Sequence, residues 1–260
     1  MARINSNIPV GPDYYKMEII APDIVLSGYP GQFVHVKISA HNSYDPLLRR
    51  PLSINDIDRQ KGLLSLIYRI SGRGTELMSG LGENTEIDLL GPLGKGFKTD
   101  FKNKNILVVG GGMGIAPLYY LVKVLVKNND VTVLFGGNSK EELNYFYKQF
   151  NRLSLNIKVA TMDGSEGYQG SVIKLWEDII SKEPETGIYD FVYSCGPEIM
   201  LKKVQNLAKK INIPGQISLE RRMGCGIGVC LSCVCKTKNG NQRVCHDGPV
   251  FSLSEVILDD

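Results

Sequence analysis

Ile106-Leu107-Val108-Val109-Gly110-Gly111-Gly112-Met113-Gly114-Ile115-Ala116-Pro117 is the stretch on which the fold turns. Four uncharged apolar residues read as a strand buried on both faces. The glycines that follow let the backbone turn sharply and approach a ligand closely. Pro117, with no N–H to leave unpaired, suits the first turn of a helix. Strand, glycine loop and helix in that order bring N-terminal amides to a pyrophosphate. The uncharged run continues to Val122 and raises the question of a membrane span, but the glycines and Pro117 divide it, and a buried strand–turn–helix explains it better. A glycine turn alone is also what close strand–helix packing demands. Here the pattern on both sides matches nucleotide binding, so Gly110, Gly111, Gly112, Met113 and Gly114 are candidate contacts.

Downstream, apolar runs at Val131–Phe135, Ile157–Ala160, Phe191–Ser194 and Ile217–Leu219 alternate with helical patterns at Pro117–Lys127, Lys140–Phe150, Ser171–Ile180 and Pro197–Lys210. That alternation predicts a doubly wound parallel sheet. Cys195-Gly196-Pro197 falls at the end of a predicted strand, where such sheets bind ligands. A lone cysteine there is more often a small buried hydrophobe than a reactive thiol. Asp163-Gly164-Ser165-Glu166-Gly167 reads equally well as a plain turn or a nucleotide contact. Gly136-Gly137-Asn138-Ser139-Lys140 holds no arginine for a 2′-phosphate, which tilts the choice to NAD over NADP, although Lys140 is able to substitute.

Upstream, residues 1–100 read as all-β, with short runs at Tyr14–Ile20, Gln32–Ile38, Leu63–Ile70 and Glu86–Leu90 between Pro/Gly turns and no convincing helix. This predicts a small antiparallel barrel. Within it, Arg50-Pro51-Leu52-Ser53 and Gly74-Thr75 bracket the strand Ile67-Tyr68-Arg69. Arg50 or Arg69 suits a diphosphate, Ser53 a ring edge, and Gly74 with Thr75 a phosphate cradle. Arginines on a barrel are more often simply solvated.

The third segment is set by its cysteines. Five of six (Cys225, Cys230, Cys233, Cys235, Cys245) cluster near the C-terminal end. The spacing Cys225-x4-Cys230-x2-Cys233, with Cys245 eleven residues on, is the plant-type [2Fe–2S] pattern. Gly224, Gly226 and Gly228 let such a loop close around sulfide and aim amides at the sulfurs. The competing reading is structural zinc, which usually presents two separated C-x2-C pairs. Cys235 offers a rival to Cys233; the register favours Cys233, with Cys235 a neighbouring spectator. The domain organisation expected is thus 1–100 (barrel), 101–216 (α/β) and 217–260 (cluster module).

With 30 Lys plus Arg, 27 Asp plus Glu and a net charge of +3, the chain is too balanced for a nucleic-acid groove. Glycine is abundant, 28 of 260, against a usual frequency of about 7%. The first residues lack the apolar core of a signal peptide and no span survives inspection, so a cytoplasmic protein without membrane attachment is expected.

Taken together these residues resemble the ferredoxin–NADP reductase superfamily. Gly31-Gln32-Phe33 and Arg50-Pro51-Leu52-Ser53 match its flavin motif, and the glycine loop with Cys195-Gly196-Pro197 its nucleotide domain. Cys-Gly-x-Gly-x-Cys-x-x-Cys after Glu220-Arg221-Arg222-Met223 narrows the resemblance to the electron-transfer subunits of class 1B dihydroorotate dehydrogenase. That resemblance implies FAD on Arg50, Pro51, Leu52, Ser53, Ile67, Tyr68, Arg69, Gly74 and Thr75. It implies NAD on Gly110–Gly114 and Cys195, Gly196 and Pro197, and a [2Fe–2S] centre on Cys225, Cys230, Cys233 and Cys245. Leu52 stands where many superfamily members have a tyrosine over the flavin, so ring stacking differs here.

The implied work is an electron relay in pyrimidine biosynthesis: from the FMN of a dihydroorotate-oxidising catalytic subunit, through cluster and FAD, to NAD+. The implied assembly is a heterotetramer, two of each subunit, docked through the Cys225–Cys245 face around residues such as Lys236. No acid–base residue is required, and His35, His41 and His246 are expected in surface or packing roles. The alternatives are a subunit serving ferredoxin, sulfide or polysulfide and, from another class, a nucleotide-sensing module with structural zinc.

Overall fold

The structure is a computed structural model that describes residues 2–38, 44–182 and 189–258. His41 lies outside the described residues. Six strands, β1 (Ala2–Gly11), β2 (Tyr14–Ile20), β3 (Phe33–Lys37), β4 (Arg50–Asp58), β5 (Leu63–Arg69) and β6 (Glu86–Leu93), close an antiparallel barrel in the order β1-β2-β5-β4-β3-β6. Period-two alternation sets the inside: Met17 and Ile19 of β2 are buried with Ile4, Val34, Val36, Ile54, Leu64 and Leu66, while Lys16 and Glu18 pair at 2.6 Å on the outer face.

Two short helices interrupt the barrel where none was expected, α1 (Pro22–Ser27) and α2 (Arg73–Ser79). Under two turns each, they are too short to show a 3.6-residue apolar period. Pro22 opens α1 from the first turn.

The second layer holds β7 (Asn105–Gly111), α3 (Leu118–Leu125), β8 (Asp130–Gly137), α4 (Lys140–Asn151), β9 (Asn156–Thr161), β10 (Tyr168–Gln169), α5 (Val172–Lys182), β11 (Phe191–Cys195), α6 (Glu198–Lys210) and β12 (Gly215–Ser218). All these strands run parallel, in the order β10-β9-β8-β7-β11-β12. The central strand shows why its sequence is apolar throughout. Leu107 and Val109 belong to the core with α5 and α6, and Ile106 and Val108 to the core with α3 and α4. The glycine loop does not run straight into the helix: Gly112–Ile115 forms a 3-10 turn, and Pro117 sits at the N-cap of α3.

After β12 the chain leaves the sheet for the cysteine loop, forms the hairpin β13 (Val234–Thr237) and β14 (Gly240–Arg243), and returns as β15 (Val250–Ser252). β15 pairs antiparallel with β12 and so becomes the edge of the same sheet. The barrel and sheet are fastened by a buried polar latch: Asn55 donates to the Ala116 carbonyl at 2.7 Å and accepts from Gln149 at 2.9 Å. No helix among the described residues is long and apolar enough to cross a membrane.

Candidate functional site

Two clefts and a thiol loop meet between the layers. The first cleft, about 320 Å³, takes its barrel wall from Arg50, Pro51, Leu52 and Ser53 of β4, Ile67, Tyr68 and Arg69 of β5, and Thr75 of α2. The structure thus brings together the barrel residues of the Arg50–Ser53, Ile67–Arg69 and Gly74-Thr75 segments except Gly74, which lies just beneath, while Gly31 and Gln32 do not line the cleft. A Cβ at Gly74 would stand 2.4 Å from Arg50 Nε, so the glycine is what lets the guanidinium settle there. Arg50 also donates to the Leu48 carbonyl. Thr75 accepts from the Ser71 amide at 2.9 Å and donates to the Gly72 carbonyl at 3.0 Å, which fixes the turn. Tyr68 turns its hydroxyl away, onto Asn7 at 3.0 Å, and burial holds it protonated.

The opposite wall was assigned only in part from the sequence, Phe33 through the flavin motif and Met113 through the glycine loop. Phe33, Met113, Ala116, Glu220, Arg221 and Met223 line it, drawn from all three segments. Glu220–Met223 were visible as a motif, but only the return of the C-terminal segment to β12 shows that they face the barrel.

The second cleft, about 440 Å³, opens at the C-terminal ends of the parallel strands and is lined by Gly111, Gly112, Met113 and Gly114 with Gly196 and Pro197. Gly110 and Cys195 lie beneath it: both are buried, and a Cβ at Gly114 would stand 2.5 Å from the carbonyl carbon and oxygen of Cys195. Burial raises the Cys195 thiol far above its ordinary pKa, and Ser218 bonds it, as suits a packing residue. Asn138 and Glu142 add a polar rim; Glu142 accepts from the Asn138 amide at 2.6 Å and from the Tyr14 hydroxyl at 3.0 Å. Lys140 is tied to Glu166 at 2.7 Å, and its amide donates to Ser165 at 2.7 Å, so the Asp163–Gly167 stretch is a turn that caps α4.

Arg69, Met113 and Glu220 belong to both clefts, which therefore communicate. Crowding by the walls raises the Glu220 carboxyl above the usual carboxylate range even though its residue opens on the cleft.

Beyond Met223 the thiol loop begins. Gly226 and Gly228 take φ of +73° and +84°, left-handed backbone that glycine adopts freely. The turns aim amides at sulfur. Ile227, Val229 and Cys230 donate to Cys225 Sγ at 3.5, 3.4 and 3.4 Å, Gly228 donates to Cys245 Sγ at 3.1 Å, and Cys245 donates to Cys233 Sγ at 3.4 Å. The Ser232 hydroxyl and then backbone amides bring Cys230 down to about 6, and burial pushes Cys245 up to about 12. Arg243 donates to the Gly228 carbonyl at 3.1 Å and pairs with Asp247 at 2.8 Å, clamping the loop to the Cys245 segment.

No group of three or more His, Cys, Asp or Glu side chains among the described residues gathers to hold a single metal ion. The thiols come instead as two neighbouring pairs, Cys225 with Cys230 and Cys233 with Cys245. Two thiolates per iron is what a binuclear iron–sulfur centre takes, and amides turned on sulfur suit its negative charge. Cys235 is buried in the core beside them, and burial raises its thiol.

Residues 220–257 match the profile described as "Iron-sulfur cluster binding domain of dihydroorotate dehydrogenase B", and residues 108–206 match "Oxidoreductase NAD-binding domain". The chain is 38% identical over 98% of its length to the "Dihydroorotate dehydrogenase B (NAD(+)), electron transfer subunit" of Desulforamulus reducens, covering 97% of that protein. To the subunit of the same name from Shouchella clausii it is 42% identical, over 96% of this chain and 94% of that one. Among solved structures, an NADH-dependent reduced ferredoxin-NADP oxidoreductase superposes with a TM-score of 0.85 at 29% identity, covering 100% of this chain and 90% of that chain. Ferredoxin-NADP+ reductase from Plasmodium falciparum, at a TM-score of 0.62 and 20% identity over 84% of this chain and 94% of that one, shares the fold.

Proposed function

The chain belongs to the family of dihydroorotate dehydrogenase B electron-transfer subunits, and we propose on that premise that it couples a dihydroorotate-oxidising partner subunit to NAD+. The observation that carries the reading is the order of the sites. Glu220–Met223 lead from the first cleft straight into the thiol loop, while Arg69, Met113 and Glu220 join the first cleft to the second. Bound FAD would supply the one chemistry this middle position needs, exchanging single electrons on one side and hydride with nicotinamide on the other.

The chain's own residues bind and orient. In this reading Arg50 neutralises the diphosphate of FAD, with Gly74 and Thr75 beneath it. Leu52 and Ile67 wall the ring and Ser53 meets its edge. Gly111–Gly114 and Gly196-Pro197 receive NAD, with Gly110 and Cys195 holding that loop from below. The Glu142 carboxylate on the rim favours a ribose hydroxyl over a 2′-phosphate, which supports NAD. Cys225, Cys230, Cys233 and Cys245 hold the [2Fe–2S] centre. The division into 1–100, 101–216 and 217–260 is functional, since β15 returns the last part to the sheet of the second. The reducing cytoplasm, where thiols stay available to iron, is the compartment that fits.

A partner holding FMN, in an assembly of two plus two, completes the proposal. Its docking face is the rim of the thiol loop, where Ile227, Val229 and Leu231 are 49, 74 and 62% exposed beside Cys225 and Cys230. These exposed aliphatics flank the thiols as a patch that contact would desolvate, and they take the place of Lys236 as the positions to substitute. Val229→Asp puts a charge in that centre and is expected to weaken partner affinity by at least about tenfold, with NADH-to-dye activity retained. Size-exclusion of the mixed subunits reads the result; unchanged assembly places the interface elsewhere.

The whole reading is tested by dihydroorotate-dependent NAD+ reduction in the gently isolated complex, with NADH-to-dye activity alongside. Both activities with a co-purifying FMN protein are expected. Dye reduction with no dihydroorotate or orotate activity would move the function to ferredoxin chemistry, the second reading favoured by the 29%-identical solved structure. A colourless, zinc-containing protein would leave only a nucleotide-sensing module.

A further inference from the structure

His35 is a buried imidazole that none of the sites above uses. It lies on β3 with no exposed surface, and neither Nδ1 nor Nε2 has a hydrogen-bond partner among the described residues. An unsatisfied buried polar group costs about 1–3 kcal/mol, so the ring is built to meet something that arrives later.

The surroundings narrow what that is. Pro51, on the wall of the first cleft, is His35's register partner on β4, and the Phe33 ring of the same cleft stands edge-on at 6.1 Å. The other side is the thiol loop. A Cβ at Gly226 would stand 2.6 Å from Nδ1 and 2.8 Å from Cε1, so this edge of the ring rests on the residue directly after Cys225. Arg49 is the nearby cation, and its donors are engaged by the His35 and Asp88 carbonyls at 3.3 and 3.2 Å and the Asp88 carboxylate at 2.6 Å. Among the described contacts, then, the imidazole is held between cleft and loop, with its Nδ1 edge packed on Gly226 of the loop.

We propose that His35 donates a hydrogen bond from its ring N–H to a sulfur of the iron–sulfur centre held by the Cys225–Cys245 loop, and so positions and tunes that centre. The inference rests on the cluster assignment above. A neutral imidazole carries one N–H, and an N–H on sulfur favours the more negative, reduced form of the centre, raising its potential. His246, the neighbouring alternative, is exposed and already bonded to Asp247 at 3.0 Å.

Pulsed electron paramagnetic resonance on the reduced protein, grown with histidine carrying the heavy nitrogen isotope, reads the contact directly. A histidine nitrogen coupling is expected in the parent and in His246→Gln, and its loss in His35→Phe. In a redox titration His35→Phe shifts the cluster potential to more negative values, and His35→Gln, which restores an N–H of similar reach, brings it back toward the parent. FAD content and NADH-to-dye activity serve as the folding control. No histidine coupling in the parent, or one that survives His35→Phe, overturns the proposal; so does a potential that His35→Phe leaves in place. FAD without any [2Fe–2S] signal would instead overturn the cluster assignment, and this inference with it.

Discussion

Cys230→Ser is expected to cut dihydroorotate-dependent NAD+ reduction by at least about a hundredfold while NADH-to-dye activity stays near the parent value. Changes to groups that merely orient metal ligands cost about 10–100-fold, so removal of a ligand itself costs at least the upper figure. The split between the two activities follows from the order of the sites: nucleotide and first cleft share walls, and Cys230 lies outside both. Cys235→Ala is the matching control. Cys235 is buried in the core, pairs its backbone with Gln242 and leaves the two thiol pairs intact, so the visible and paramagnetic signature of the cluster is expected to survive. If Cys235→Ala abolishes that signature and Cys233→Ser does not, Cys235 rather than Cys233 is the third ligand.

The second large effect falls on the glycine loop. An added methyl at Gly114 has nowhere to go, because the atoms 2.5 Å away are the backbone of Cys195 and Gly196 rather than a side chain able to swing aside. Overpacking of this kind costs about 1–3 kcal/mol, and here the displaced element is the nucleotide loop itself. Gly114→Ala is therefore expected to raise the KM for NADH about tenfold or more, at 1.4 kcal/mol per decade, with FAD content unchanged. Gly82→Ala, with nothing within 4 Å, is the silent counterpart, within about 0.5 kcal/mol in stability. Equal KM values in the two variants would show that the loop does not receive the nucleotide.

What the sequence made legible tracks the range of the interactions concerned. Strands such as β2 and β5, whose alternation or apolar run is complete, were readable residue by residue. β1 was not, because Ser6 interrupts the apolar alternation of Ala2, Ile4, Ile8 and Val10, the pairing register shifts between Ile4 and Ser6, and Arg3, Asn5 and Asn7 are polar as well. The thiol spacing is local, so the cysteine loop was readable as a unit. The C-terminal part of the cleft walls was not, because Glu220 and Met223 reach the barrel only after the chain has crossed the whole α/β layer. His35 was hidden for a further reason: within Phe33–Lys37 it occupies a position indistinguishable from a core residue, and only the absence of a partner for its ring among the described residues sets it apart.

The return of β15 to β12 has a consequence for how the molecule matures. The thiol loop leaves from one strand and comes back on its immediate neighbour, so its two ends are held by the sheet whether or not iron has arrived. Most of the entropy of closing so long a loop is met by strand pairing, and metal has only the inner turns left to order. On that frame the exposed Cys230 and the half-buried Cys225 face the approach of iron, while Cys233 and Cys245 already stand in the core. Loading becomes a finishing step on a built frame instead of the event that builds it.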